Sequence, residues 1–281
     1  MKSMTWSRSL AVAALFPVVA SAQDPRFAAG VVSSSNLGSG VYGDPTAALG
    51  KPTTWVRDTF NGGPSQAVAA SLIYGAFGTS ATGQPLVVTI LSGGQLTLEF
   101  NPVIEDSPAN PYGLDFIVYG NSFLGATQSG KWNTDLEVAK VTSGPDFIEP
   151  SPISVSPDGL QWYTYPLTST QSGDAYFPTQ PFQYDFEHHG WGRESSWSRP
   201  VPPWVTRSSL TGLTVAQAIA LFNGSAGGCA FDLAPSGFSW IRYVRITGTG
   251  GEIDGLARTA PPKLQFDEPN ERPRTLPRTS P

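Results

Sequence analysis

The chain has 281 residues, a formal charge of −5 and a single cysteine, with 14% charged residues, 30 glycines and 26 prolines. The acidic balance and the lack of a basic run ahead of the C-terminal tail argue against nucleic acid or anionic membrane as partners. One cysteine excludes an internal disulfide, so a packed core must hold the fold, and frequent Gly and Pro favour short strands and turns over long surface helices.

At the N-terminus, Lys2 and Arg8 precede the apolar run Leu10 to Ala20, and Ala20-Ser21-Ala22 places small residues where a signal peptidase cuts. Residues 1–22 therefore read as a secretory signal. The run is too short to span a bilayer, which takes roughly 20 apolar residues, and no later stretch is apolar enough. The expectation is a secreted chain, free of the membrane once cleaved, whose charge falls to −7 with the loss of Lys2 and Arg8.

The next strong signals are strands. Gln95 to Phe100 alternates polar and apolar after Gly93-Gly94, Leu114 to Phe123 is β-branched and aromatic, and Asp135 to Val141 alternates again. Ile153 to Ser156 and Leu160 to Tyr165 flank Pro157-Asp158-Gly159, which predicts a β-hairpin. From Pro178 to Pro203 no alternation persists, and the segment reads as a long surface excursion. Thr214 to Phe222 has helical spacing, with Val215, Ile219 and Phe222 on one side and Thr214 or Thr211 available as a cap. In Trp240 to Ile246, alternation places Ile241, Tyr243 and Arg245 opposite Trp240, Arg242, Val244 and Ile246, and Glu252 to Ala257 reads as the last strand. Residues 27–260 thus predict one all-β domain, a β-sandwich with one short helix and long loops. Residues 261–281, rich in Pro and Arg, predict a disordered tail.

Several segments resemble a family of exported bacterial proteins, many of which end in a PEP-CTERM sorting segment. They are Tyr42-Gly43-Asp44-Pro45, Ala48 to Pro52, Gly93 to Phe100, Gly113 to Phe123, Val155 to Gly159, Gly227 to Leu233, Ile241 to Ile246 and Ile253-Asp254. The resemblance implies a galactose-binding-like jelly roll exposed outside the inner membrane, and it implies no reaction. The sorting segment itself has no counterpart here, which points to free secretion.

Chemistry is sparse. His188 and His189 are adjacent beside Gly190 and Gly192, a spacing that suits neither a zinc-binding helix nor convergent ligands on a strand. No nucleophile motif stands near them. Asp185, Glu187 and Glu194, near Trp191 and Trp197, keep an extracellular glycoside hydrolase as an alternative, and a matrix protein without a small ligand is another. Asp115, Asp232 and Asp254 sit among apolar residues and are candidate ligands of a structural calcium ion; the competing reading pairs Asp115 with Arg242 or Arg245 and Asp232 with backbone amides at a turn. Trp191, Trp197, Trp204, Trp132 and Asn133 are candidate contacts for an extracellular glycan. Cys229, between Gly228 and Ala230, reads as a small buried residue. The expected function is a non-enzymatic, secreted β-sandwich that binds carbohydrate or another extracellular ligand.

Overall fold

The structure, a computed structural model, describes residues 24–57, 67–127, 133, 135–168 and 172–260. The predicted signal and tail lie outside these residues. The chain is mostly β. Among the described residues twelve strands run in order: β1 (Gly30–Leu37), β2 (Trp55–Arg57), β3 (Ala67–Ala69), β4 (Val88–Glu105), β5 (Phe116–Gly120), β6 (Ile153–Ser156), β7 (Tyr163–Thr164), β8 (Phe182–Asp185), β9 (Gly190–Glu194), β10 (Cys229–Phe231), β11 (Trp240–Thr247) and β12 (Glu252–Arg258). Among the described residues two α-helices, α1 (Arg207–Leu210) and α2 (Val215–Leu221), precede β10.

Eight strands form one antiparallel sheet in the order β10-β5-β12-β4-β11-β6-β7, with β1 also on β4. The long strand β4 curls this sheet. Its first residues, Val88 and Thr89, pair with β12, whereas Gln95 to Glu105 pair with β11. Between these stretches Gly94 approaches the neighbouring backbone so closely that a Cβ would lie 2.5 Å from the Asn36 carbonyl oxygen. Leu96, Leu98 and Phe100 of β4, Phe116 and Val118 of β5, and Val155, Val244 and Ile246 then meet in one core. Among the described residues no helix is long and apolar enough to cross a membrane.

The β6–β7 hairpin forms as predicted, with Ser154 opposite Thr164 and Val155 opposite Tyr163. The Asp158 carboxylate accepts from the Leu160 and Gln161 amides and closes the turn. The segment Thr214 to Phe222 is helical as α2: the Thr214 hydroxyl accepts from the Gln217 amide, and Val215, Ala216, Ala218 and Ile219 face the core. Cys229 is buried, which pushes its thiol up to about 11.

Four expectations change. A second helix, α1, is capped by Thr206 with Ser209. Asp135 to Val141 is a turn rather than a strand, because its backbone bonds to α2: the Ala216 amide donates to the Leu136 carbonyl and the Val215 amide to the Ala139 carbonyl. In β11 a register shift between Ile241 and Tyr243 breaks the alternation, so that Ile241, Val244 and Ile246 are all buried. The segment from Pro178 to Pro203 is largely packed rather than a surface excursion. It contains the β8–β9 hairpin, and Gln180, fully buried, accepts from the Leu72 amide and donates to the Phe182 carbonyl.

Arg207 fastens α1 to the loop ahead of β6 by two hydrogen bonds to Asp146 and one to the Thr142 carbonyl. Burial acts to raise the Asp146 carboxyl, but Arg207 and the Gly125 amide outweigh it and hold it below 3.8. An acid with a depressed folded pKa stabilises the fold above its unfolded value and loses that contribution as pH falls through the folded one. The Asp146→Asn variant is therefore expected to melt lower than wild type at pH 7, by about 1–3 kcal/mol. Thermal melts should show this difference shrinking once pH drops below the ordinary aspartate range; a gap constant from pH 7 to pH 2.5 would contradict the pairing.

Candidate functional site

A cleft of about 620 Å³ opens between the Asp44–Thr54 segment, the β2–β3 pair and the Ser80–Leu86 loop. Asp44, Lys51, Trp55, Arg57, Thr82 and Gln84 line it, and Asp254 lies at its buried end. The volume falls within the range usual for small-ligand sites, roughly 300–1,000 Å³. Its position follows from local structure. Asp44 caps a short 3-10 turn, accepting from the Thr46 amide and hydroxyl, and these bonds hold its carboxyl below the usual range. Trp55 packs against Phe182, ring centroids 5.2 Å apart and tilted by 49°. Lys51 reaches out of the cleft to Glu194 at 2.5 Å.

Asp254 ties strand to loop. The Thr53 amide donates to both of its carboxylate oxygens at 3.0 Å, and the Thr53 hydroxyl donates to Oδ1 at 2.7 Å. Burial raises the carboxyl to about 7, against the opposing effect of those bonds.

The predicted contact residues do not converge on this cleft. Trp197 is wholly buried: its indole N–H donates to Glu194 at 2.6 Å, and its ring meets Tyr119 edge-on at 5.3 Å. Trp191 is half-buried against Phe182. Asn133 spends its amide on the Ala69 carbonyl and the Ser71 hydroxyl. Trp204 is 67% exposed and packs edge-on against Tyr112 on the surface. Trp132 lies outside the described residues. His188 and His189 turn to different acids, Asp185 and Glu137, across the exposed β8–β9 turn.

The predicted metal ligands part company as well. Asp115 and Asp232, with Asp106, each bring a carboxylate oxygen within 4.8 Å of the others. Asp115 is nevertheless a clamp: its Oδ1 accepts from the Ser107 amide and the Asn110 side chain, and its Oδ2 from the Leu233 amide. Asp232 accepts from the Ala234 amide. Neither Arg242 nor Arg245 is the partner of Asp115, and Arg245 stacks 3.6 Å from the Trp162 ring centroid instead. Asp254, bound to Thr53, stands apart.

A second acidic group, Glu149, Asp174 and Glu252, escapes sequence reasoning because its members come from separate loops and strand ends. Trp55, Arg57 and Gln84 escape it too; Trp55 had an aromatic signal, but nothing local marked it as cleft-facing. Comparison with known protein families, with curated proteins and with solved structures finds no match.

Proposed function

We propose that this is an exported, non-enzymatic β-sandwich of galactose-binding-like jelly-roll type that binds a carbohydrate in the Trp55 cleft. The observation that carries the reading is the lining: one indole beside Asp44, Arg57, Thr82 and Gln84 around a single concavity. Sugars present apolar C–H faces that stack on aromatic rings and hydroxyls that need both donors and acceptors, and this lining offers each. Support for the jelly-roll reading comes from β4, which serves both halves of the curled sheet.

Binding is favoured over hydrolysis because, among the described residues, the cleft's carboxylates are Asp254 and Asp44, and the first has both oxygens engaged and the second its Oδ1. Asp254 gives both oxygens to Thr53, and Asp44 is held by Thr46. A glycosidase needs one acid free to protonate the leaving oxygen and a second facing it across the scissile bond. On a glycan array followed by calorimetry, Arg57→Ala and Trp55→Ala are expected to weaken the best ligand at least about tenfold, an effect of about 1.4 kcal/mol or more. Trp204→Ala should leave affinity unchanged. Absence of any glycan ligand, or affinity that depends on Trp204 and not on Arg57, would overturn the reading.

A further inference from the structure

We propose that Glu149, Asp174 and Glu252, together with the side-chain oxygen of Asn121, bind one calcium ion. The three acids each place a carboxylate oxygen within 4.8 Å of the other two. Asp174 is 1% exposed, and the absent side chain of Gly120 makes its room, since a Cβ there would lie 2.4 Å from Asp174 Oδ1. Among the described residues the ion pairs join Arg26 to Asp24, Lys51 to Glu194, Arg207 to Asp146 and the histidines to Asp185 and Glu137, so none neutralises this group. Burial, and after it the charges of Glu252 and Glu149, push Asp174 well above the usual carboxylate range.

Independent support comes from oxygens left without a partner. Asn121 is 8% exposed, its amide lies against the Glu252 carboxylate, and its Oδ1 accepts no hydrogen bond. Glu252 Oε2 is buried and likewise unpartnered. A buried oxygen acceptor is satisfied by a donor hydrogen or by a cation. Neither Asn121 Oδ1 nor Glu252 Oε2 has a donor within hydrogen-bond distance, and three carboxyl groups cluster at this place.

Buried Asp174 and half-buried Glu252 are also held in the manner of ligands. The Ser122 amide donates to Asp174 Oδ1 at 2.7 Å, leaving Oδ2 with only the 3.4 Å contact from the Glu252 amide. The Thr89 hydroxyl donates to Glu252 Oε1 at 2.9 Å and leaves Oε2 open. One oxygen anchored and one free is how supporting hydrogen bonds orient metal ligands. The donors are all oxygens, with no histidine or cysteine among them, which selects a hard cation, and several carboxylates with an amide oxygen suit calcium. The amides around Asp115 fill the same need there, so the ion belongs to this cluster and not to that one. Bound calcium would join the end of β5, the segment before β6, the Ser172–Asp174 segment and the start of β12.

The test is calorimetric titration of the chelator-treated, purified chain with calcium chloride, alongside thermal melts with and without calcium. One saturable site and a melting temperature raised by several degrees are expected. Asp174→Asn, which removes a repelling charge while keeping shape, should melt as high as metal-free wild type or higher, yet lose the calcium-induced shift and bind at least about tenfold more weakly. Glu252→Gln should do the same. Asp44→Ala, in the cleft, should keep the calcium response, which separates this site from the carbohydrate reading. No saturable binding would mean that the acids share protons instead of an ion and would overturn the proposal; so would an unaltered response in both cluster variants.

Discussion

Trp197→Ala is expected to lower the stability of the fold by about 4 kcal/mol, the range for truncating a large buried aromatic. The indole is fully enclosed in a small cluster with Phe27, Ile117, Tyr119, Ala226 and Ala257. Truncation leaves a cavity, removes the hydrogen bond to Glu194 and withdraws the ring beneath Lys51, whose ammonium lies 6.0 Å from its centroid. In a domain of this size the melting temperature should fall by roughly 8–16 °C. Trp197→Phe, which refills much of the space but forfeits the N–H, should lose about half as much. Trp204→Ala, at a ring 67% exposed, should change stability by less than about 0.5 kcal/mol. Thermal and urea unfolding of the three variants checks this order; equal stability of Trp197→Ala and Trp204→Ala would refute the packing role.

Asp115→Ala carries the second large effect, a loss of about 3 kcal/mol that does not depend on calcium. The carboxylate is fully buried and collects three donors, the Ser107 amide at 3.1 Å, the Asn110 side chain at 2.8 Å and the Leu233 amide at 2.8 Å. Removing it strands all three, and each unsatisfied buried donor costs roughly 1–3 kcal/mol. Two factors moderate the sum. Burial already pushes the Asp115 carboxyl above the usual range, so part of a desolvation penalty disappears with it. A 340 Å³ cavity also borders Asp115, Ser107 and Asn110, and water there can reach the stranded groups. Asp115→Asn should lose less than alanine, because one oxygen still accepts. Urea melts in calcium and in chelator should give the same difference from wild type; a difference that vanishes in chelator would move the ion to the Asp106, Asp115 and Asp232 group.

Much of the β framework was legible because it is written locally. Leu96, Leu98 and Phe100 alternate with polar neighbours and do face the core, the Asp158-Gly159 turn closes its hairpin, and Thr214 caps α2. Asp135 to Val141 shows where a local pattern misleads: its alternation matched a strand, but α2 offered hydrogen-bond partners that bent it into a turn. In β11 the expected faces failed for one residue, since a bulge beside Arg242 turned Ile241 inward. The packed segment from Pro178 to Pro203 hid because its buried Thr179 and Gln180 side chains bond to the distant backbone of Gly120 and Leu72, contacts that leave no periodic trace.

By itself the sequence determined the class of the protein: few charges, one cysteine, abundant Gly and Pro, and alternating segments require a β-rich core unsupported by disulfides. Only the tertiary structure decided which tryptophan is buried and which exposed, and which acids stand together. A side chain's type is a local property, but its exposure and the field around it are sums over neighbours distant in sequence. Trp197 and Trp204 are seven residues apart and equally apolar, yet one lies under Lys51 beside Tyr119 and the other on the surface beside Tyr112. Glu149, Asp174 and Glu252 share no motif, and they meet because β12, the loop after β7 and the loop before β6 end at one place.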